Sequence, residues 1–500
     1  MANGRARSTA LFGLGALEAG LLPKLATAAL VFVLPGANAQ TPAQTIDAPA
    51  PQVKPEIAKP ETVAPESDNS KVKARYLVTK FPDKPSLPFS WTIPLDPLGF
   101  SAPGAIYLGS RNALASLDFL DESHLLFTFR VPGLQHRDAA SSEESDERQI
   151  RAVVLTLPQG AVAAQAQWTL HDRARYLWAL KDGRFLLRNR NSLLEGDATL
   201  ALKPLLDFPG VLLSLSLDPA QKFLVTNSRE PVAKPASPAA TPDRSLSAGS
   251  TPGQIASPST ASASVTTDED SIQQSAEPDL VVRILRLDSG EVLLVSRVRS
   301  AVHLPLNSVG YLENLRGRAA EWILNLSYFT GGSKMLGSVE STCSPQDDFL
   351  SEEEILVTGC GPAGESKLVA MTTSGRTLWI TQAPPTEIWP QLVVSGNGLR
   401  IVWETLDVDH AVNSFVPLDA DDVKEQSVTV FDAANGDIAL VSPVTPILDA
   451  GGNVAISPSG RRVALLNAGA IQVFELPASP PLPADPRKPP VPQSRSPAVP

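Results

Sequence analysis

Apolar residues in this chain come in runs of strand length, and a tight polar turn separates each run from the next. Leu215 to Val225 turns at Asp218, Pro219 and Ala220; Val454 to Leu466 turns at Ser457, Pro458, Ser459 and Gly460; Val428 to Val441 turns at Asn435 and Gly436. Such residues supply a positive φ or a preset φ between two strands, so each copy predicts a β-hairpin. Between Ala74 and Leu476 the runs are rich in β-branched and aromatic residues, and none sustains the 3.6-residue period of a helix. The chain therefore reads as all-β.

Paired hairpins can be laid out as seven units of about 40 residues, the size of a four-stranded blade, and predict a β-propeller. The first begins near Ala115, with turns at Asp121 to Ser123 and Pro158 to Gly160, and the second near Tyr176 with a turn at Asp182-Gly183. The third starts near Val211 and runs to Ser300. The fourth holds Tyr311, Trp322 and Gly331-Gly332, and the fifth holds both cysteines and Ser374-Gly375. The sixth starts near Trp389, with turns at Asn397-Gly398 and Asn435-Gly436, and the seventh near Asn453. The last unit is one strand short, because Ala470 to Leu476 runs into a Pro-rich tail. The strand-like Arg75 to Phe81 is expected to supply the missing element, closing the ring from both chain ends and hiding its sheet edges. The irregular fourth unit leaves six or eight blades open.

Residues 1–39 carry Arg5 and Arg7, an apolar segment ending in Leu25 to Leu34, and Ala37-Asn38-Ala39, the parts of a secretory signal peptide. The run from Leu25 is shorter than the roughly 20 residues a membrane span needs. An uncleaved anchor, drawing on the earlier run from Ala10 to Leu22, is the alternative. Residues 40–72, 229–278 and 477–500 lack periodic apolar pattern, are Pro-rich, and are expected to be disordered. The propeller then covers 73–476 with the middle tract as an interruption, which costs little because closure entropy grows slowly with loop length. The acidic stretch Ser141 to Glu147 interrupts the first unit in the same way.

The formal net charge is -11, and loss of the leader would make it -13. An acidic chain disfavours nucleic acid and anionic membranes as partners. The two cysteines, Cys343 and Cys360, suit a disulfide in an oxidising compartment better than a metal site, since two sulfurs without nearby His cannot complete a tetrahedral shell. Two buried free thiols are the alternative.

Val430-Phe431-Asp432 with Asn435-Gly436, Ile456 to Arg462 and Thr373 to Trp379 carry a resemblance to the WD40-like and quinoprotein-like β-propellers. The segment Leu170 to Trp178 is similar to uncharacterised exported propeller proteins of bacteria. The resemblance covers roughly Ala74 to Leu476. It implies a ring of blades around a central channel, and no particular activity.

Candidate chemistry is sparse. The five histidines, at 124, 136, 171, 303 and 410, form no local pair of zinc-ligand spacing. His171 and Asp172 have the residue types of a general base and its orienting carboxylate, but neighbours on a strand point to opposite faces. Asp347-Asp348 with Glu352 to Glu354, and Asp407, Asp409, Asp419, Asp421 and Asp422, offer oxygen ligands without the spacing of a calcium loop, so solvated turns are the expectation. No Gly-x-Ser-x-Gly elbow is present. Trp322, Trp379, Trp389 and Trp403 suit packing between blades. Arg173, Arg175, Lys181, Arg184, Arg188 and Arg190 are the single concentration of positive charge, and strand alternation makes them a candidate interaction surface.

These observations assign no catalytic, metal or cofactor residue. They favour a monomeric, exported, non-enzymatic propeller, periplasmic or extracellular, without a span in the mature chain, that binds another protein or an envelope component. The alternative is a propeller enzyme, a lactone or ester hydrolase or a quinone-type oxidoreductase, with its site in the channel.

Overall fold

The computed structural model describes residues 75–76, 81–104, 108, 111–132, 147–172, 174–230, 280–411 and 419–479 of the 500. The expected leader and linker at 1–39 and 40–72, nearly all of the expected tracts at 229–278 and 477–500, and residues 141–146 lie outside them. Among the described residues no helix is long and apolar enough to cross a membrane.

Two short strands come first, β1 (Arg75–Tyr76) and β2 (Trp91–Pro94). Blade 1 is β3 (Ala115–Phe119), β4 (His124–Arg130), β5 (Arg148–Thr156) and β6 (Ala161–Leu170). Blade 2 is β7 (Leu177–Ala179), β8 (Phe185–Asn189), β9 (Ser192–Gly196) and β10 (Leu202–Asp207). Blade 3 is β11 (Val211–Leu217), β12 (Phe223–Arg229), β13 (Leu280–Arg286) and β14 (Val292–Val298). Blade 4 is β15 (Gly310–Arg316), β16 (Glu321–Tyr328) and β17 (Ser333–Glu340). Blade 5 is β18 (Gln346–Phe349), β19 (Glu354–Cys360), β20 (Ser366–Thr372) and β21 (Thr377–Ala383). Blade 6 is β22 (Glu387–Val394), β23 (Arg400–Val408), β24 (Val423–Asp432) and β25 (Ile438–Pro443). Blade 7 is β26 (Val454–Ile456), β27 (Arg462–Asn467) and β28 (Ala470–Glu475), completed by β2. The blades begin where the turn pattern placed the units.

The irregularity of blade 4 has a local cause. Its first strand is reduced to one bridge, Leu306 opposite Tyr311. Leu312 donates its N–H to Pro305 O at 2.8 Å, and Pro305 has no N–H with which to extend the ladder.

Closure uses a different segment from the one expected. Trp91 pairs with Val473 and Pro94 with Ala470, so β2 is the fourth strand of blade 7. Arg75 and Tyr76 instead run parallel to Thr381 and Gln382 on the outer edge of blade 5. Burial accounts for the choice: Ile93, 4% exposed, joins Ile471 and Val473 in one apolar cluster. Pro94 is tolerated because an outermost strand needs no donor on its free side.

Seven apolar clusters hold the ring, one at each junction between blades. Alternation along a strand gives each blade one apolar face per neighbour. On β4, Leu125, Phe127 and Phe129 pack with Leu466 and Val473 of blade 7, while Leu126 packs with Leu177 and Phe185 of blade 2. The 7-to-1 junction is as apolar as the others, so the ring is closed.

Turns between first and second strands meet at one end, here the turn end. Ser459 N–H donates to Glu122 Oε1 at 2.7 Å, Lys181 N–H to Gln221 Oε1 at 2.5 Å, Asn307 Nδ2 to Glu352 O at 3.1 Å, and Asn397 N–H to Pro458 O at 2.9 Å. The turn chemistry repeats: Ser395 and Ser457 accept the N–H of Arg400 and Arg462 through their hydroxyls, and Asp218 accepts that of Phe223 through its carboxylate. The opposite end, the link end, holds the second-to-third strand connections and the links between blades. Neighbouring first strands touch there and along the ring axis, β22 with β26, β26 with β3 and β3 with β7.

Candidate functional site

Two features of the link end have the geometry of a site. The first is a groove of about 690 Å³ between blades 4 and 5. Its walls come from the β15–β16 link, the segment after β17 and the segment after β19, with Arg318, Glu321, Glu340 and Lys367 contributing charge of both signs. Its floor is braced by the Cys343–Cys360 disulfide, S–S 2.09 Å, which joins the link before β18 to the end of β19. Ser341, 2% exposed, donates its hydroxyl to Cys343 O at 2.7 Å and accepts the N–H of Cys360 at 2.9 Å. Thr342 Oγ1 donates to Gly361 O at 3.0 Å, and Trp322 Nε1 donates to Ser341 O at 3.0 Å. Gly359 is required here, because a Cβ would stand 2.8 Å from Ser341 Oγ. Gln382, also in the wall, is the residue opposite Tyr76, so β1 borders the same groove.

The second feature is a charged group inside the ring between blades 1 and 2. Asp118 on β3 accepts the Ser116 hydroxyl at 2.5 Å. Burial pushes its carboxyl up to about 6, against the pull of Arg175. Arg175 is exposed, and desolvation lowers its guanidinium pKa against the pull of Asp118. Nearby, Arg188 Nε lies 3.4 Å from Asp172 Oδ2 and its Nη1 donates to Leu213 O at 2.6 Å. Tyr176 Oη and Thr128 Oγ1 are hydrogen-bonded at 2.7 Å.

The six basic residues singled out by the sequence do not gather into one patch among the described residues. Arg173 lies outside them. Arg175, exposed, and Arg188, buried, both lie beside the Trp178 ring, and Arg190 gives its N–H to Asp172 Oδ2 at 3.0 Å. Lys181 donates Nζ to Pro219 O at 3.0 Å at the turn end, and Arg184 pairs with Glu195 at 3.0 Å. Strand β7 lies between these groups and carries the chain from one end of the ring to the other.

His171 and Asp172 do not form a dyad: Asp172 serves Arg188 and Arg190, and His171 Nε2 is 3.9 Å from Glu147. Asp347 and Asp348 face opposite ways on β18, and His303 Nε2 sits 2.7 Å from Asp347 O and 3.5 Å from Asp348 Oδ1. Glu352 is drawn away to the Ser308 hydroxyl at 2.6 Å. Asp409, His410 and Asp422 do come together, with His410 Nδ1 2.6 Å from Asp409 and 4.0 Å from Asp422. The Asp409 contact raises the imidazole above its usual range. Trp379 and Trp403 are buried at the junction of blades 5 and 6, as expected for packing.

No protein family matches the chain, and no curated protein does. Among solved structures, Pyrococcus horikoshii acylaminoacyl peptidase is similar at 10% identity and a TM-score of 0.40, covering 74% of this chain. This chain spans about half of that one, 52%. The β-propeller domain of the Trilobed protease from Pyrococcus furiosus is similar at 12% identity and a TM-score of 0.39, covering 73% of this chain and 94% of that domain. TolB from Acinetobacter baumannii is similar at 10% identity and a TM-score of 0.33, covering 69% and 78%. The fold assignment rests on this chain's own sheet order and on the seven apolar junctions.

Proposed function

We propose that this chain is an exported, non-enzymatic, monomeric β-propeller that binds another protein or an envelope component through its link end. The groove between blades 4 and 5 carries the reading. Its volume of about 690 Å³ lies in the range of binding clefts, its rim offers both charge signs, and its floor is cross-braced rather than mobile. That combination suits a polypeptide segment, whose amides and charged side chains find matching donors and acceptors. The disulfide and the leader pattern favour an oxidising location such as the periplasm. The acidic net charge of -11 argues against nucleic acid.

The test is site-specific photo-crosslinking in the native host, with a photoreactive residue in place of Lys367 and, as control, Asp182 at the turn end. A discrete adduct from position 367 and none from position 182 is the expected result. Equal labelling at both positions, or none at 367, overturns the reading.

A further inference from the structure

We infer that Arg175, flanked by Ser116 and Asp118, is a receptor for a carboxylate inside the channel. This site lies across blades 1 and 2, remote from the groove, and does not rest on the function proposed for that groove.

Arg175 is held in a fixed orientation. Its Nε donates to Leu177 O at 3.1 Å, and its guanidinium carbon lies 5.4 Å from the centre of the Trp178 ring. Those two contacts use one donor and one face. The terminal nitrogens donate to no protein acceptor among the described residues, and the side chain is exposed. The neighbouring guanidiniums are engaged differently: Arg188 with Asp172 and Leu213 O, and Arg148 with Asn112 Oδ1 at 3.1 Å. Asp118 acts on Arg175 through space, without a direct ion pair. An exposed, oriented fork matches a planar carboxylate bidentately, which a lysine in the same place would not. Ser116 and Asp118 add a hydroxyl and a second titratable group beside it.

Asp118 gives the site a pH dependence. The charged and titratable groups acting on Asp118 and its neighbour Tyr176 are Arg175 and Arg148, and the Tyr176 hydroxyl is tied to Thr128. While ionised, Asp118 competes with an incoming carboxylate for Arg175. Protonated, it ceases to repel the ligand and offers a donor. Affinity should therefore rise as pH falls through about 6. The expected gain between pH 8 and pH 5.5 is about tenfold, the equivalent of one pKa unit of interaction.

The experiment is calorimetric titration of the full chain with three probes: N-acetyl-trialanine, its C-terminal amide, and lactate. A peptide carboxyl terminus stays ionised throughout that pH range. Saturable one-site binding of the peptide acid without binding of its amide is the expected result. Lactate binding equally well would assign a small carboxylate as the ligand, and binding of the peptide alone would assign a chain terminus. Arg175→Gln should abolish binding and Arg175→Lys should weaken it at least about tenfold, with each variant's melting curve confirming the fold. Asp118→Asn should bind more tightly than the parent at pH 8 and lose the pH dependence. No saturable heat with either acid, parental binding by Arg175→Gln, or an unchanged pH profile in Asp118→Asn overturns the inference.

Discussion

The backbone N–H of Ser459 donates to Glu122 Oε1 at 2.7 Å, joining the last blade to the first across 337 residues. The Glu122 carbonyl also accepts Arg462 Nη1 at 2.7 Å, so two bonds meet at one turn residue. A charge-assisted bond of this kind is worth about 1.5 to 3 kcal/mol, whereas the exposed rim pair Arg462–Glu475 is worth about 1 kcal/mol or less. Glu122→Ala should lower unfolding stability by about 1 to 2 kcal/mol in a denaturant titration, and Glu475→Ala should leave it unchanged within error. Equal effects from the two variants would mean that the closing bond adds nothing beyond the apolar 7-to-1 junction.

The disulfide offers a second test. Cys343 and Cys360 close a segment of sequence separation 17, for which chain entropy predicts about 3 kcal/mol of stabilisation. Replacing both with Ser should lower stability by about that amount. Hydrogen exchange should quicken first at Cys360 N–H and Thr342 N–H, the amides bound to Ser341 Oγ and to Cys360 O on the groove floor. Uniform acceleration over all seven blades would instead indicate that the bridge acts on the whole ring.

Blade boundaries are legible in the sequence because turn chemistry is local. Ser395, Ser457 and Asp218 each bind an N–H five residues ahead, and that requirement is visible as a motif. The closing strand is not legible, since Trp91–Pro94 is four residues long, ends in Pro and is selected by burial of Ile93 against residues nearly 400 positions away. The inner site is hidden for the same reason: Asp118 and Arg175 lie on different blades, and neither belongs to a motif. The basic run divides between the two ends of the ring, because β7 carries the chain from Arg175 at one to Lys181 at the other.

Gly436 shows how tightly the blade 5 to 6 junction is packed. Its φ is +70°, and a Cβ there would stand 2.7 Å from Trp379 Cδ2. Trp379 cannot yield, because its Nε1 donates to Ala433 O at 2.7 Å and its ring stacks on Phe431 at 6.0 Å. Gly331 also has a positive φ, +92°, but nothing among the described residues lies within 4 Å of its Cβ position. Gly436→Ala should therefore cost about 1 to 3 kcal/mol more than Gly331→Ala, the difference being overpacking alone. Matching losses, read from denaturant midpoints, would assign the whole cost to backbone strain.

Glu404 predicts the sign of one pH effect. Its carboxyl is fully buried at 0% exposure, and Oε1 accepts Gln426 Nε2 at 2.6 Å. Oε2 has no partner among the described residues, and it shares with Gln391 Oε1 the small space above Gly451. Burial raises the carboxyl well above the ordinary value of 4.5, so the folded chain holds the proton after the unfolded chain has released it. Below the unfolded value both states are protonated and the group contributes nothing to the balance. As pH rises above that value the unfolded state alone ionises, and stability falls until the folded pKa is reached. Glu404→Gln keeps the shape, keeps an acceptor for Gln426 and places a permanent donor toward Gln391. The variant should match the parent near pH 4.5 and exceed it at pH 8 by about 1 to 3 kcal/mol, the cost of an unpaired buried polar group. Other buried carboxyls, Asp347, Glu354 and Glu387, are raised to about 7 and bend the parent curve in the same direction. They are common to both proteins, so the difference between the two pH–stability curves isolates Glu404. A variant less stable than the parent at pH 8 would show that the carboxylate is ionised in the fold and held by a partner that Gln cannot replace.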